Sequence, residues 1–258
     1  MRAPQSRLTT AFFGEEVSLR KPTATMFATQ FAPQAFSANG PRPTAPTSWR
    51  HNAERLIPTS WISAKRATDI ALALLGLTLG APILIVSMIA IVIASPGSPI
   101  FAQERVGRYG RRFWMFKLRT MKPNAHAQLD ALRVANEVSG PVFKMKSDPR
   151  VFPLGRILRK LSIDELPNLV NVLLGTMSIV GPRPSLPSEV EKHNDFALRR
   201  LRVKPGITCV WQISGRSNVA FHEWMRLDHV YIDNWSPLYD LKIILSTIPA
   251  VLFSKGAY

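Results

Sequence analysis

Asp164 and Glu165 are adjacent carboxylates set in a strongly cationic part of the chain. Residues 101–160 carry 14 Lys and Arg against four Asp and Glu, so the two acids follow directly on a segment that attracts anions. A carboxylate held among cations can attack an anionic phosphorus centre, because the cations lower the repulsion and favour the ionised nucleophile. A plainer role competes with this one. Ser162 stands three positions before Glu165 in the spacing of a capping box, Pro167 suits a helix start, and acids in a first turn complement the helix dipole. The two roles are compatible, since free N–H groups at a helix start also hold phosphoryl groups. A dipole and nearby arginines would then depress the Asp164 pKa.

The surrounding elements must bring cations to these acids. Residues 99–121, PIFAQERVGRYGRRFWMFKLRTM, read as a β-hairpin turning at residues 107–110. Lys117 and Arg119 are two apart and share a strand face, with Phe116 and Leu118 on the other. A helix is expected over 125–137, then a turn at Asp148 and Pro149 leading to Arg150. A second helix over 154–161 carries Arg156, Arg159 and Lys160, and a third begins between Ser162 and Asp164 with Leu166, Leu169, Val170 and Leu173 as its core stripe. Gly181, Pro182, Arg183 and Pro184 make a rigid turn that presents one guanidinium, a good bidentate clamp for phosphate. The loop KPGITCVWQISGRS repeats the pattern with Lys204, Gly206, Gly215 and Arg216. Ser236 and Pro237 suit the N-cap and first position of a last helix, whose apolar stripe could face a bilayer or the domain with equal ease.

Residues 70–94 form an apolar run without a charge, long enough as a helix to exceed the ~30 Å bilayer core. Two features set it apart from an ordinary span. Pro82 interrupts its hydrogen bonding, and Arg or Lys flanks it on both sides, at positions 50, 55, 65 and 66 before it and 105, 108, 111 and 112 after it. A hairpin broken near Ala81 and Pro82, entering and leaving by one face, satisfies both sets of charges; a kinked span and a buried helical hairpin are the alternatives. The first 60 residues, with scattered prolines and no periodicity, read as a disordered tail without a signal peptide. The net charge of +16 calls for an anionic partner: nucleic acid, anionic lipid or a phosphorylated substrate. Cys209 is the only cysteine, which excludes an intramolecular disulfide and a thiolate metal cluster. P-loop, GxGxxG and HExxH patterns are absent, and the five histidines lack ligand spacing. The basic, aromatic RRFWMFK could stack on single-stranded nucleic acid, but the adjoining apolar run argues against it.

From Lys65 to Tyr258 the chain resembles the bacterial sugar transferases, also called monotopic phosphoglycosyl transferases or polyprenyl-phosphate hexose-1-phosphate transferases. The resemblance rests on KRATDIALALL, PIFAQERVG, FKLRTM, LSIDELPNLVNVLLGTMSIVGPRP, KPGIT with WQISGR, and DLKIILSTIPAVL, in that order. It is strongest toward the type that starts exopolysaccharide repeat units. It implies transfer of a sugar 1-phosphate from a UDP-sugar, galactose or glucose being favoured, to polyprenyl phosphate with release of UMP. It further implies a covalent phosphosugar intermediate on Asp164, with Glu165 beside it and Mg²⁺ held by both, and phosphate contacts from Lys117, Arg119, Arg150, Arg159, Arg183 and Arg216. The family breaks its membrane helix at Ser-Pro, where this chain has Ala81 and Pro82. The expected architecture is α+β, mostly α: a tail over 1–60, a re-entrant membrane helix over 65–96, and a cytoplasmic catalytic domain over 97–258 with a small β-hairpin and membrane-surface helices. It would sit on the cytoplasmic face of the bacterial inner membrane, against anionic lipid and without nucleic acid, and a homo-oligomer is compatible with it. The competing reading is a non-enzymatic basic adaptor for anionic lipid or nucleic acid, in which the two acids only cap a helix.

Overall fold

The computed structural model describes residues 59–137, 140–214 and 220–253; Arg216 and the tail through residue 58 lie outside them. Helices dominate, and the strands make two two-stranded sheets, in line with an α+β chain that is mostly α.

The apolar run becomes a single helix, α1 (Thr59–Ala94), which begins six residues before the expected start at 65. Its 36 residues rise to ~54 Å at about 1.5 Å each, and among the described residues it is the one helix long and apolar enough to cross a membrane. The expected break at Ala81 and Pro82 does not end the helix, which carries Pro82 inside it. Because proline has no N–H, the Thr78 carbonyl loses its usual partner there. Both limbs of α1 pack on the same body. Ala73 is buried with Met115, Leu169, Val172 and Met177, whereas Ile91 is buried with Leu118, Phe152 and Leu158. Polar contacts fasten the two ends as well. Lys65 donates to Asp240 at 2.6 Å, and Asp69 accepts from Ser178 Oγ and the Ile179 N–H, both at 2.9 Å. At the other end Arg119 donates to the carbonyls of Ser95 and Pro96. Leu75, Leu79, Ile83, Val86 and Ile93 stay exposed on the remaining surface of α1.

The hairpin forms as read, from β1 (Ile100–Val106) and β2 (Arg112–Leu118), antiparallel with Phe101 opposite Lys117 and Arg105 opposite Phe113. The helix expected over 125–137 shrinks to a single turn, α2 (Leu129–Leu132), followed by a 3₁₀ turn (Arg133–Ala135). With no buried residue in either, this segment has no apolar face to hold a longer helix together. Helix α3 (Pro153–Lys160) lies against the end of the hairpin. A Cβ on Gly155 would fall 2.3 Å from the Thr120 carbonyl oxygen, so only glycine permits this approach.

The chain then passes through α4 (Asn168–Leu173) to β3 (Ser178–Val180), short helices α5 (Pro187–Val190) and α6 (Asp195–Leu198), and β4 (Gly206–Thr208), which pairs in parallel with β3. Of the stripe expected in α4, Leu169 is buried but Val170 points outward with Leu174. The contact of β3 with β4 joins the two glycine-containing turns. Gly206 donates to the Pro182 carbonyl at 2.9 Å, and a Cβ on Gly206 would lie 2.1 Å from the Gly181 nitrogen. Finally α7 (Val210–Ile213), α8 (Phe221–Asp233) and α9 (Pro237–Phe253) close the domain. Ser236 caps α9 through a 3.1 Å bond from the Tyr239 N–H, as expected. Of its expected stripe, Leu238, Leu241, Leu245 and Ile248 are exposed and Ile244 is half-buried, whereas Ile243, outside that stripe, is fully buried. Cys209 is buried with Trp211, Trp224 and Met225.

Candidate active site

The two acids do not start an α-helix. They lie on a 3₁₀ turn (Ile163–Glu165) between α3 and α4, and Ser162 has a left-handed backbone, φ 55°, with no cap bond from its side chain. Ser162 closes α3 instead, its N–H donating to the Arg159 carbonyl at 3.0 Å. The capping box is therefore absent. The N–H groups of Glu165 and Leu166 are engaged within the turn, bonding the carbonyls of Ser162 and Ile163. Glu165 turns its carboxylate to β2, where Lys117 Nζ donates to Oε1 at 2.6 Å.

The turn gives the two carboxylates different environments. Asp164 is 8% exposed, and burial, reinforced by the neighbouring Glu165 charge, pushes its pKa up to about 6 against the pull of Lys117 and Arg159. This reverses the expected depression. Burial would also raise Glu165, but the charge and hydrogen bond of Lys117, with Arg183 and Arg105 beyond, more than offset it and hold its pKa below the usual range.

A cavity of about 90 Å³ adjoins Glu165, and its walls include Arg105, Lys117, Asn168, Arg183 and Trp211. Arg105 is the residue that sequence reasoning passed over, taking it only as a flanking charge. It is 6% exposed, its Nε has no hydrogen-bond partner among the described residues, and burial with the adjacent Arg183 charge lowers its pKa to about 9. The hairpin register held the signal: Arg105 and Lys117 fall on the same face once Phe101 is set opposite Lys117. Asn168 adds a buried Oδ1 that likewise has no partner among the described residues.

Arg183 is fixed from below. Arg200 donates to the Arg183 carbonyl at 2.8 Å and to Ser185 Oγ at 3.0 Å, and Arg105 donates to the Pro184 carbonyl at 3.0 Å. Arg200 itself is paired with the buried Asp228 at 2.8 Å. The Arg183 guanidinium lies 5.5 Å from the centre of a Trp224 ring, and Lys144 lies 4.8 and 4.7 Å from rings of Trp211 and Trp224.

The other expected phosphate contacts are distributed differently. Arg159 is close enough to feel the charges of Asp164 and Glu165, and its Nε donates to Thr120 Oγ1 at 2.9 Å. Arg150 is 5% exposed and is matched with Asp148 through 2.6 and 2.9 Å bonds. Arg119 turns away to the end of α1 because β2 stops at Leu118, so the strand face that Lys117 and Arg119 were expected to share does not bring both to one place. The site thus gathers Arg105, Lys117, Arg159 and Arg183 about the two acids.

Buried Asp164 and partly buried Glu165, the cations gathered about them and the attached apolar helix α1 together make up the candidate site. The bacterial sugar transferase family model matches residues 60–254, and the chain belongs to that family. It is 45% identical over 199 residues to the galactosyl transferase CpsE of Streptococcus agalactiae, covering 77% of this chain and 44% of that protein. It is 40% identical to the exopolysaccharide production protein ExoY of Sinorhizobium fredii, covering 76% and 88%. It is also 40% identical to the UDP-glucose:undecaprenyl-phosphate glucose-1-phosphate transferase of Caulobacter vibrioides, covering 75% and 72%.

Proposed function

We propose that this protein transfers a hexose 1-phosphate, with galactose or glucose as the hexose, from its UDP conjugate to a polyprenyl phosphate, as the first membrane step of exopolysaccharide synthesis. The observation that carries this reading is the asymmetric acid pair beside a cationic cavity, on a domain fastened along α1. Relatives named for UDP-glucose, galactosyl transfer and undecaprenyl phosphate support the substrates.

Asp164 is the nucleophile in this reading. With a pKa of about 6 it is ionised in roughly nine of ten molecules at pH 7, and it is more basic than Glu165. Its oxygen forms a bond to the β-phosphorus of the UDP-hexose, the bridging oxygen leaves with UMP and its electron pair, and the hexose C–O bond is untouched. An oxygen of the polyprenyl phosphate then attacks the same phosphorus and expels the Asp164 carboxylate, giving polyprenyl diphosphate hexose. Lys117, Arg183 and Arg105 would hold diphosphate oxygens, and Arg159 would steady Asp164; Arg150, matched to Asp148, would add only to the basic surround.

The acid pair fits Mg²⁺, which commonly takes one or two carboxylates and completes its shell with substrate phosphate and water. Lys117 occupies Glu165 Oε1, leaving Oε2 and the Asp164 carboxylate as hard donors, and no larger cluster of acids and histidines occurs among the described residues. When bound, the ion offsets negative charge on the diphosphate.

One observation favours exchanged roles: Glu165, not Asp164, lines the cavity. Intact-mass measurement with UDP-hexose decides between them. Asp164→Asn should form no phosphosugar adduct and should lose UMP release by on the order of 10³-fold or more, whereas Glu165→Gln should still form the adduct. An adduct on Asp164→Asn would sink the assignment.

For the membrane we infer that α1 enters and leaves by one face, bending at Ala81 and Pro82, with the domain on the cytoplasmic side of the inner membrane. Support comes from Lys65 and Asp69 at one end and Arg119 at the other, all holding α1 to the same domain. Anionic lipid suits the basic flanks.

A further inference from the structure

A second cavity, of about 120 Å³, abuts the first, and its character is opposite. Its walls include Leu166, Leu169, Ile207, Ala250 and Val251, and the nearby hydroxyls of Thr208 and Thr247 are bonded to each other at 2.7 Å. The two cavities share Glu165, Ile207 and Gln212, so an apolar slot and a cationic hollow meet at Glu165, next to Asp164 in the chain. The slot lies between two lipid-compatible helices. Leu166 and Leu169 pack on Gly80 and Gly76 of α1, and Ala250 and Val251 belong to α9, whose Leu241, Leu245 and Ile248 are exposed.

A purely hydrophilic substrate has no use for such a slot, and a membrane lipid alone has no need of an adjoining reactive carboxylate. An amphiphile with a phosphate at one end of a hydrocarbon chain matches both hollows together. We propose that the slot receives the first isoprene unit or units of the polyprenyl phosphate acceptor, with its phosphate in the cationic cavity and the rest of its chain passing to the bilayer beside α1 and α9. The size agrees with a small hydrocarbon unit, since an engineered apolar cavity of roughly 150 Å³ takes up benzene. This inference rests on the polyprenyl phosphate acceptor named above. It adds the place where the isoprene next to the acceptor phosphate is recognised.

The test uses the full chain in nanodiscs. A farnesyl phosphate carrying a diazirine on its first isoprene unit should label peptides containing residues 162–169 or 247–251, and undecaprenyl phosphate should displace it while phosphatidylglycerol does not. Label confined to the outer face of α1, no label, or equal displacement by phosphatidylglycerol overturns the proposal. Narrowing the slot gives the kinetic arm. Ala250→Trp should raise the KM for undecaprenyl phosphate at least tenfold while the KM for the UDP-hexose moves less than twofold; Val251→Phe serves if Ala250→Trp does not fold. An unchanged acceptor KM in a variant that melts like the unaltered chain also overturns it. If the unaltered chain releases no UMP from any UDP-hexose, the proposed function fails, and the labelling still decides whether the slot holds a prenyl phosphate.

Discussion

Lys117 has one short bond to Glu165 and a place on the wall of the cationic cavity, so its charge serves both the acid pair and an incoming diphosphate. Lys117→Met should reduce UMP release about 10²-fold, the usual loss when one positioned donor to developing charge is removed, and Lys117→Arg should recover part of it. Steady-state release of UMP from UDP-hexose measures both. The strand that carries Lys117 and the turn that carries Arg183 were legible in the sequence, whereas the acids were legible by type alone, their expected helix start being a 3₁₀ turn. Arg119 and Arg150 show the limit of that reading. Both look like phosphate ligands by type, yet one caps the end of α1 and the other is matched to Asp148, and a sequence displays a charge without displaying its partner.

Among the elements, the joined turns of Gly181 and Gly206 place Arg183, and the Asp228 to Arg200 pair supports them from the interior. Gly206→Ala would set a carbon against backbone that cannot swing aside, and a stability loss of about 1–3 kcal/mol or more is expected in thermal melts, together with a raised KM for the UDP-hexose. Asp228 adds a pH signature. Burial raises its pKa from 3.8 to about 6 even beside Arg200, so the folded state binds its proton more tightly than the unfolded chain does. Its contribution is greatest below pH 3.8 and is lost as pH rises through about 6, a change on the order of 3 kcal/mol. Asp228→Asn should therefore flatten the fall in melting temperature between pH 4 and pH 7. The hairpin and α9 could be read from turn and cap residues because their signals are local. The helix expected over 125–137 and the capping box could not, since each depends on whether the rest of the fold offers a surface to pack on or a cation to bond.

At the scale of the molecule, α1 decides how the protein meets its membrane. Cysteines introduced at Ser63 and Ser98, near its two ends, should both react with a membrane-impermeant maleimide added to inverted vesicles, whose cytoplasmic face is outermost, and neither in right-side-out vesicles; reaction from opposite sides would establish a span. The apolar length and the two basic flanks were plain in the sequence, but the contacts that bind both limbs of α1 to one domain involve Asp240, Ser178 and Arg119, far from one another in the chain. Cys209 makes the experiment simple. It is 3% exposed beneath the tryptophans, and burial raises its thiol pKa well above the ordinary value, which leaves little reactive thiolate at neutral pH. The natural sequence is therefore its own silent background for thiol probes, and every introduced cysteine reports its own side of the bilayer.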